Sequence, residues 1–115
     1  MVVGDPEWQA TVQHIAIEGR CYVVNCAPYI VRNDYPTDLR ATAEVARLPQ
    51  VVYRGGSCVV DPAGHYVPGA EPLWDSDGIL YATLDMQLAA ASKWEFDPIG
   101  HYARPDAVRL VVNDI

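Results

Sequence analysis

Basic residues are scarce in this sequence. Eight lysines and arginines face 15 aspartates and glutamates, giving a net charge of −7, and Lys93 is the only lysine. Such a balance repels phosphate backbones and anionic lipid and leaves no basic patch for counterion release, which argues against a nucleic-acid or membrane partner. Long hydrophobic runs are missing too. None approaches the roughly 20 residues of a spanning helix. The opening Met1-Val2-Val3-Gly4-Asp5 lacks the basic start and apolar middle of a signal peptide, so a cytoplasmic location is the expectation. Cysteine is sparse and odd in number: Cys21, Cys26 and Cys58 have no CxxC spacing, which excludes a disulfide framework or zinc knuckle and predicts buried free thiols. No low-complexity segment and no linker interrupts the chain.

What is present suits a folded domain. Hydrophobic residues make up 50% of the 115 positions and charged residues 20%, and a chain of this size buries roughly two-thirds of its unfolded surface around one core. Asp5 is placed to cap a helix, Pro6 suits its first position, Glu7 complements the dipole, and Trp8, Val12, Ile15 and Gly19 recur at helical spacing, so a helix is predicted over 6–19. The valine-rich run CYVVNCA, 21–27, bounded by Pro28, reads as a strand buried on both faces. Helix followed by buried strand implies a layered α/β arrangement.

Beyond Pro28 the signal weakens. APYIVRNDYPTD is loop-like, and LRATAEVAR predicts a short helix capped from Thr37 or Asp38. In 51–67, two extended pieces flank Gly55-Gly56, with a turn at Asp61-Pro62-Ala63-Gly64; the glycine pair suggests a bulge or close backbone approach. GILYATLDM, 78–86, resembles another strand, Asp85 caps a helix over about 86–94, and RLVVND, 109–114, is a possible last strand.

Histidine motifs invite a functional reading. DPAGHYV at 61–67 and DPIGHYARPD at 97–106 share their lettering, but Asp, Pro and Gly at the first, second and fourth positions are the preferred residues of a type I turn, so two turns explain the repeat. His14, His65 and His101 lack the close spacing that preorganises a metal site, and no metal is expected. His14 and Glu18 stand four apart on the first helix, which suits a carboxylate-oriented imidazole or an ordinary surface pair. A Cys–His couple through Cys26 or Cys58 stays open, although both lie in apolar strand patterns where burial makes a thiol inert. Gly55-Gly56-Ser57 lacks phosphate-loop spacing and precedes a strand.

Three blocks in order, WQATVQHIAIEGRCYVVNC at 8–26, YRGGSCVVDPAG at 53–64 and FDPIGHYARPDAVRL at 96–110, resemble the carboxyl-terminal part of nitrilases in the carbon–nitrogen hydrolase family. The resemblance implies half of an αββα four-layer sandwich, an α/β (α+β) domain spanning 1–115 that belongs to a larger one whose subunits pair. It implies no cofactor. That chemistry uses a cysteine nucleophile in a Cys-Trp-Glu-Asn type motif, a lysine that stabilises the tetrahedral intermediate, and glutamates as base and positioning group. None of them has a counterpart here: Cys21 is followed by Tyr-Val, Cys26 by Ala-Pro and Cys58 by Val-Val, and Lys93 falls in a late helix. No catalytic residue is therefore expected in this chain. Trp8, His14 and Asn25 are the residues the resemblance places at the border of a substrate pocket, His101 fixes the irregular tail, and the implied partners are a second copy or an upstream nitrilase half. A small nitrile is a partner only of the complete enzyme.

Overall fold

The computed structural model describes residues 6–112. Helix α1 spans Pro6–Gly19, as predicted; Asp5, the predicted cap, lies outside the described residues. Its inward stripe is Gln9, Val12 and Ala16, exposed by 6%, 3% and 0%. Ile15 and Gly19, expected on that stripe, are exposed instead. The helix lies on a sheet whose centre is the long strand β3. Val12 and Ala16 pack against Cys58 and Val60, with Trp8, Val23 and Tyr66 closing the edges. Burial of a valine such as Val12 contributes about 1.5–3 kcal/mol.

The sheet has four antiparallel strands: β1 (Val23–Asn25), β2 (Tyr29–Val31), β3 (Val51–Val60) and β4 (Leu73–Trp74). β1 and β2 lie along β3 in one register, with Asn25 opposite Cys58 and Tyr29 opposite Arg54. They act as a single strand interrupted at Cys26-Ala27-Pro28. Ser57 spans the interruption, its hydroxyl accepting from the Ala27 N–H at 2.9 Å and donating to the Ala27 carbonyl at 3.0 Å. Loop-like lettering around Pro28 hides β2, because proline ends a strand locally without preventing the chain from rejoining it.

Other departures follow the same pattern of tertiary context overriding local lettering. The predicted doubly buried strand at 21–27 is only three residues long, and its central Val24 is 69% exposed. The predicted helix at 39–47 splits into two single turns, α2 (Thr37–Arg40) and α3 (Ala43–Ala46), because Thr42 accepts from the Val45 N–H and starts a second helix where one would continue. β3 runs unbroken through Gly55 and Gly56, which take φ of 86° and 99° and shift the register against β4. The turn after β3 forms as read, with the Gly64 N–H donating to the Asp61 carbonyl at 2.9 Å.

α4 (Met86–Ser92) is capped by Asp85, whose side chain accepts from the Gln87 N–H at 2.9 Å. The segment 78–85 forms no strand, and neither does 109–112, the described part of the expected last strand. Both lack a neighbour to pair with. From Gly78 to Val112 the chain forms an arm held by few polar contacts. The Tyr22 hydroxyl donates to the Asp85 carbonyl at 3.1 Å, and Arg20 bonds Glu95 at 3.3 Å and lies over the Phe96 ring. The radius of gyration, 19.1 Å, exceeds the value of about 13 Å for a compact chain of this length. No described helix is long and apolar enough to cross a membrane.

Candidate functional site

Side-chain amides converge on one backbone carbonyl at the kink of β3. The carbonyl of Gly56 accepts from Gln9 Nε2 and from Asn25 Nδ2, both at 2.9 Å. Asn25 in turn accepts from the Trp8 indole Nε1 at 2.9 Å. On the other side of Gln9, its Oε1 accepts from the Cys58 thiol and from the Tyr66 hydroxyl, each at 3.2 Å. One helix, two strands and the turn after β3 thereby meet at Gln9. Two amide donors on a single carbonyl hold it at a position where the ladder to the neighbouring strand is broken, and this satisfies a backbone group that would otherwise be stranded.

The glycines are dictated by space as well as by φ. A Cβ on Gly56 would lie 2.7 Å from the Trp74 ring, and one on Gly55 would lie 2.8 Å from the Leu73 carbonyl. Trp74 is itself covered by the Arg54 guanidinium, 5.5 Å from the ring centroid, which pairs with Asp75 through Nε at 2.9 Å and Nη2 at 2.5 Å. These hydrogen bonds hold the Asp75 carboxyl below the usual aspartate range. Gln9, Arg54, Tyr66, Pro72 and Trp74 line an open pocket of about 290 Å³.

The electrostatics of this cluster oppose nucleophilic chemistry. Burial pushes the Cys58 thiol up, with the Asn25 side chain pulling the other way, and burial followed by the neighbouring Cys58 raises Tyr66. The acceptor of the Cys58 proton is a neutral carboxamide, so no base stands ready to make a thiolate. Cys21 and Cys26 are exposed, against the expectation that all three thiols are buried. Both flank the short strand β1, outside its pairing with β3. Cys26 faces a second pocket of about 230 Å³ with Ser57 and Asp77 among its walls, and neither histidine nor lysine lines it.

Of the three residues expected at a pocket border, Trp8 and Asn25 come together. His14 does not join them: its Nε2 sits 3.3 Å from Glu18 on the exposed side of α1. His65 lies 3.7 Å from Asp61, and His101, whose backbone N–H donates to the Asp97 carbonyl at 3.0 Å, lines a cleft with Lys93, Glu95 and Asp97. Among the described residues no three histidine, cysteine or acidic side chains converge in a metal-binding group. Gln9 was missed in the sequence, where a glutamine between Trp8 and Ala10 reads as a surface residue. Its position three before Val12 and seven before Ala16 was the available signal, since it puts a polar group on the apolar stripe.

The carbon–nitrogen hydrolase family model matches residues 1–93. An aliphatic nitrilase of Sinorhizobium fredii (strain HH103) is 42% identical over 109 residues, covering 93% of this chain and 34% of that protein. An arylacetonitrilase of Trametes versicolor (strain FP-101664) is 40% identical over 110 residues, covering 95% of this chain and 34% of that protein. Nitrilase 2 of Arabidopsis thaliana is 37% identical over 118 residues, covering 96% and 33%. The chain spans about a third of the length of these relatives. Match and identity together place this chain in the carbon–nitrogen hydrolase family.

Proposed function

We propose that this chain is the carboxyl-terminal, non-catalytic portion of a nitrilase-type carbon–nitrogen hydrolase, forming half of an αββα sandwich and one wall of its substrate pocket. The complete enzyme converts a nitrile and water to a carboxylic acid and ammonia in the cytoplasm, with cysteine, lysine and glutamate supplied by another portion. The observation that carries this reading is the Gln9–Asn25–Gly56 cluster, which is built for shape: its one thiol has a neutral amide as partner. A nitrile carbon is a weak electrophile and needs a thiolate beside a base, with a cation to meet the developing charge. Trp8 and Asn25 border the pocket in this reading, and His14 belongs to the surface of α1 where subunits pair.

The purified chain is expected to release no ammonia from aliphatic or aromatic nitriles. Turnover that persists through exchange of buffer and metals and disappears in Cys26→Ala would overturn the reading.

A second reading, a non-catalytic assembly module that keeps the family's oligomeric surface, is supported by the exposed apolar arm, where Trp94 is 93% and Leu110 87% exposed. An in-frame segment encoding a Cys-Trp-Glu-Asn type motif upstream of Met1 favours the first reading over the second. Either way, self-association or poor solubility is expected of the chain on its own; sedimentation of a compact monomer at high concentration would speak against it.

A further inference from the structure

The described aspartates divide by what holds their carboxyl groups. Asp34 accepts from the Val31 N–H, Asp61 from those of Ala63 and His65, Asp85 from that of Gln87 and Asp97 from that of Gly100. Asp75 and Asp106 are gripped by the guanidinium groups of Arg54 and Arg104. Asp38 and Asp77 remain, and no hydrogen bond or ion pair among the described residues holds either carboxyl. The residue after each then separates them. Leu39 already donates its N–H to the Pro36 carbonyl at 3.0 Å, whereas the N–H of Gly78 has no acceptor among the described residues.

Asp77 and Gly78 are both exposed, in backbone that is neither helix nor strand, where the chain leaves β4 for the arm. An amide nitrogen attacks the carboxyl of the residue before it only if that nitrogen is unbonded and can swing close. Glycine, with no Cβ and a freely turning backbone, hinders that approach least.

We infer that Asp77–Gly78 is a site of spontaneous aspartyl isomerisation, at which the chain reroutes itself through the Asp77 side chain. The Gly78 nitrogen bonds to Cγ of the protonated carboxyl, and the carboxyl hydroxyl leaves with the amide proton as water. Solvent water then opens the five-membered succinimide. Attack at Cγ restores aspartate; attack at the former backbone carbonyl leaves the chain running through Cγ, with that carbonyl carbon now a free carboxylate. The mass returns to its starting value, and neither oxidant nor reductant takes part.

Asp75 is the internal control. It precedes another small residue, Ser76, in the same connection, yet both of its oxygens bond Arg54, which keeps the carboxyl ionised and without a hydroxyl to lose. At Asp77 the product carries an extra methylene in the backbone between β4 and the arm. Asp77 also stands with Cys26 and Ser57 around the pocket of about 230 Å³, so the carboxylate at that wall is repositioned as well. Nothing in this chemistry draws on nitrile hydrolysis, and the site belongs to the chain whether or not the proposed function holds.

The test is prolonged incubation of the whole chain at near-neutral pH, folded and in urea, followed by peptide mapping with electron-based fragmentation that distinguishes isoaspartate from aspartate. In urea both Asp75 and Asp77 isomerise. Folding slows Asp75 at least about tenfold and Asp77 less than about threefold. A species lighter by one water precedes the product at Asp77, and the product accepts a methyl group from S-adenosylmethionine through an isoaspartyl methyltransferase. Asp77→Glu, an exposed replacement that would need a six-membered ring, loses both signals. Folding that slows Asp77 as much as Asp75 would overturn the inference, and so would methyl acceptance that persists in Asp77→Glu. The comparison of folded and unfolded parent chain decides the matter even if the variant fails to fold.

Discussion

The carboxamide of Gln9 and the carbonyl of Gly56 meet at 2.9 Å across 47 positions of sequence. That single bond ties α1 to the kink of β3, and the same amide receives the protons of Cys58 and Tyr66. Gln9→Leu leaves those two buried or half-buried donors without their acceptor and removes one of the two amides from the carbonyl. It is expected to destabilise the chain by about 2–4 kcal/mol. Urea unfolding of the parent and variant measures the difference; a loss below about 0.5 kcal/mol would show that water replaces the amide at little cost.

The positive-φ glycines separate two kinds of constraint. Gly56 combines a φ of 99° with a ring 2.7 Å from where a Cβ would stand, whereas Gly69 has a φ of 80° and nothing within 4 Å. Gly69→Ala is expected to cost about 1 kcal/mol from backbone strain alone. Gly56→Ala adds displacement of Trp74 and is expected to cost about 3 kcal/mol or more. Thermal unfolding of the two variants should rank them in that order.

How much of this was legible in the sequence depends on where each signal comes from. α1 and α4 were readable because their evidence is local: Pro6 at a first turn, Asp85 at a cap, alanines in between. β2 was not, because Pro28 sits beside it and its pairing with β3 is set more than twenty residues away. The strand lettering of 78–86 finds no partner strand among the described residues, and without one the pattern alone forms no strand. Trp8 and Asn25 came from resemblance to a family. Gln9, their neighbour in space, carries no such mark: its place on the apolar stripe of α1 was the available signal, and its three partners lie far off in the sequence. Burial was rightly expected of Cys58 and wrongly of Cys21 and Cys26: apolar flanks suggest burial, but these two lie just outside the paired residues of β1.

The three cysteines provide an internal reporter of native structure. Cys21 and Cys26 are exposed and Cys58 is 1% exposed. A maleimide reagent is expected to label two thiols rapidly in the folded chain and the third only on unfolding, at least about a hundredfold more slowly. Mass spectrometry of partially labelled chain, with peptide mapping, assigns the sites. Early modification of Cys58 would mean that the contact between α1 and β3 opens readily.

Acid sensitivity follows from the Arg54–Asp75 pair. Its hydrogen bonds lower the Asp75 carboxyl from the ordinary 3.8. A carboxyl with a depressed folded-state value contributes stability above its unfolded value and loses that contribution as the pH falls through the folded one. Asp75→Asn should therefore lower the unfolding midpoint at about pH 6 and converge on the parent as the pH falls through the folded-state value of Asp75, where both side chains become neutral. Both groups are partly exposed, so the effect is small and should shrink further in high salt.

Because Asn25 faces Cys58 and Tyr29 faces Arg54, the segments between them, Cys26-Ala27-Pro28 and Gly55-Gly56-Ser57, are matched in length. Adding a residue to one alone would rotate everything beyond it onto the wrong side of the sheet. Insertions and deletions at this crossing are thus tolerable only in compensating pairs, and relatives that vary here should vary on both sides together.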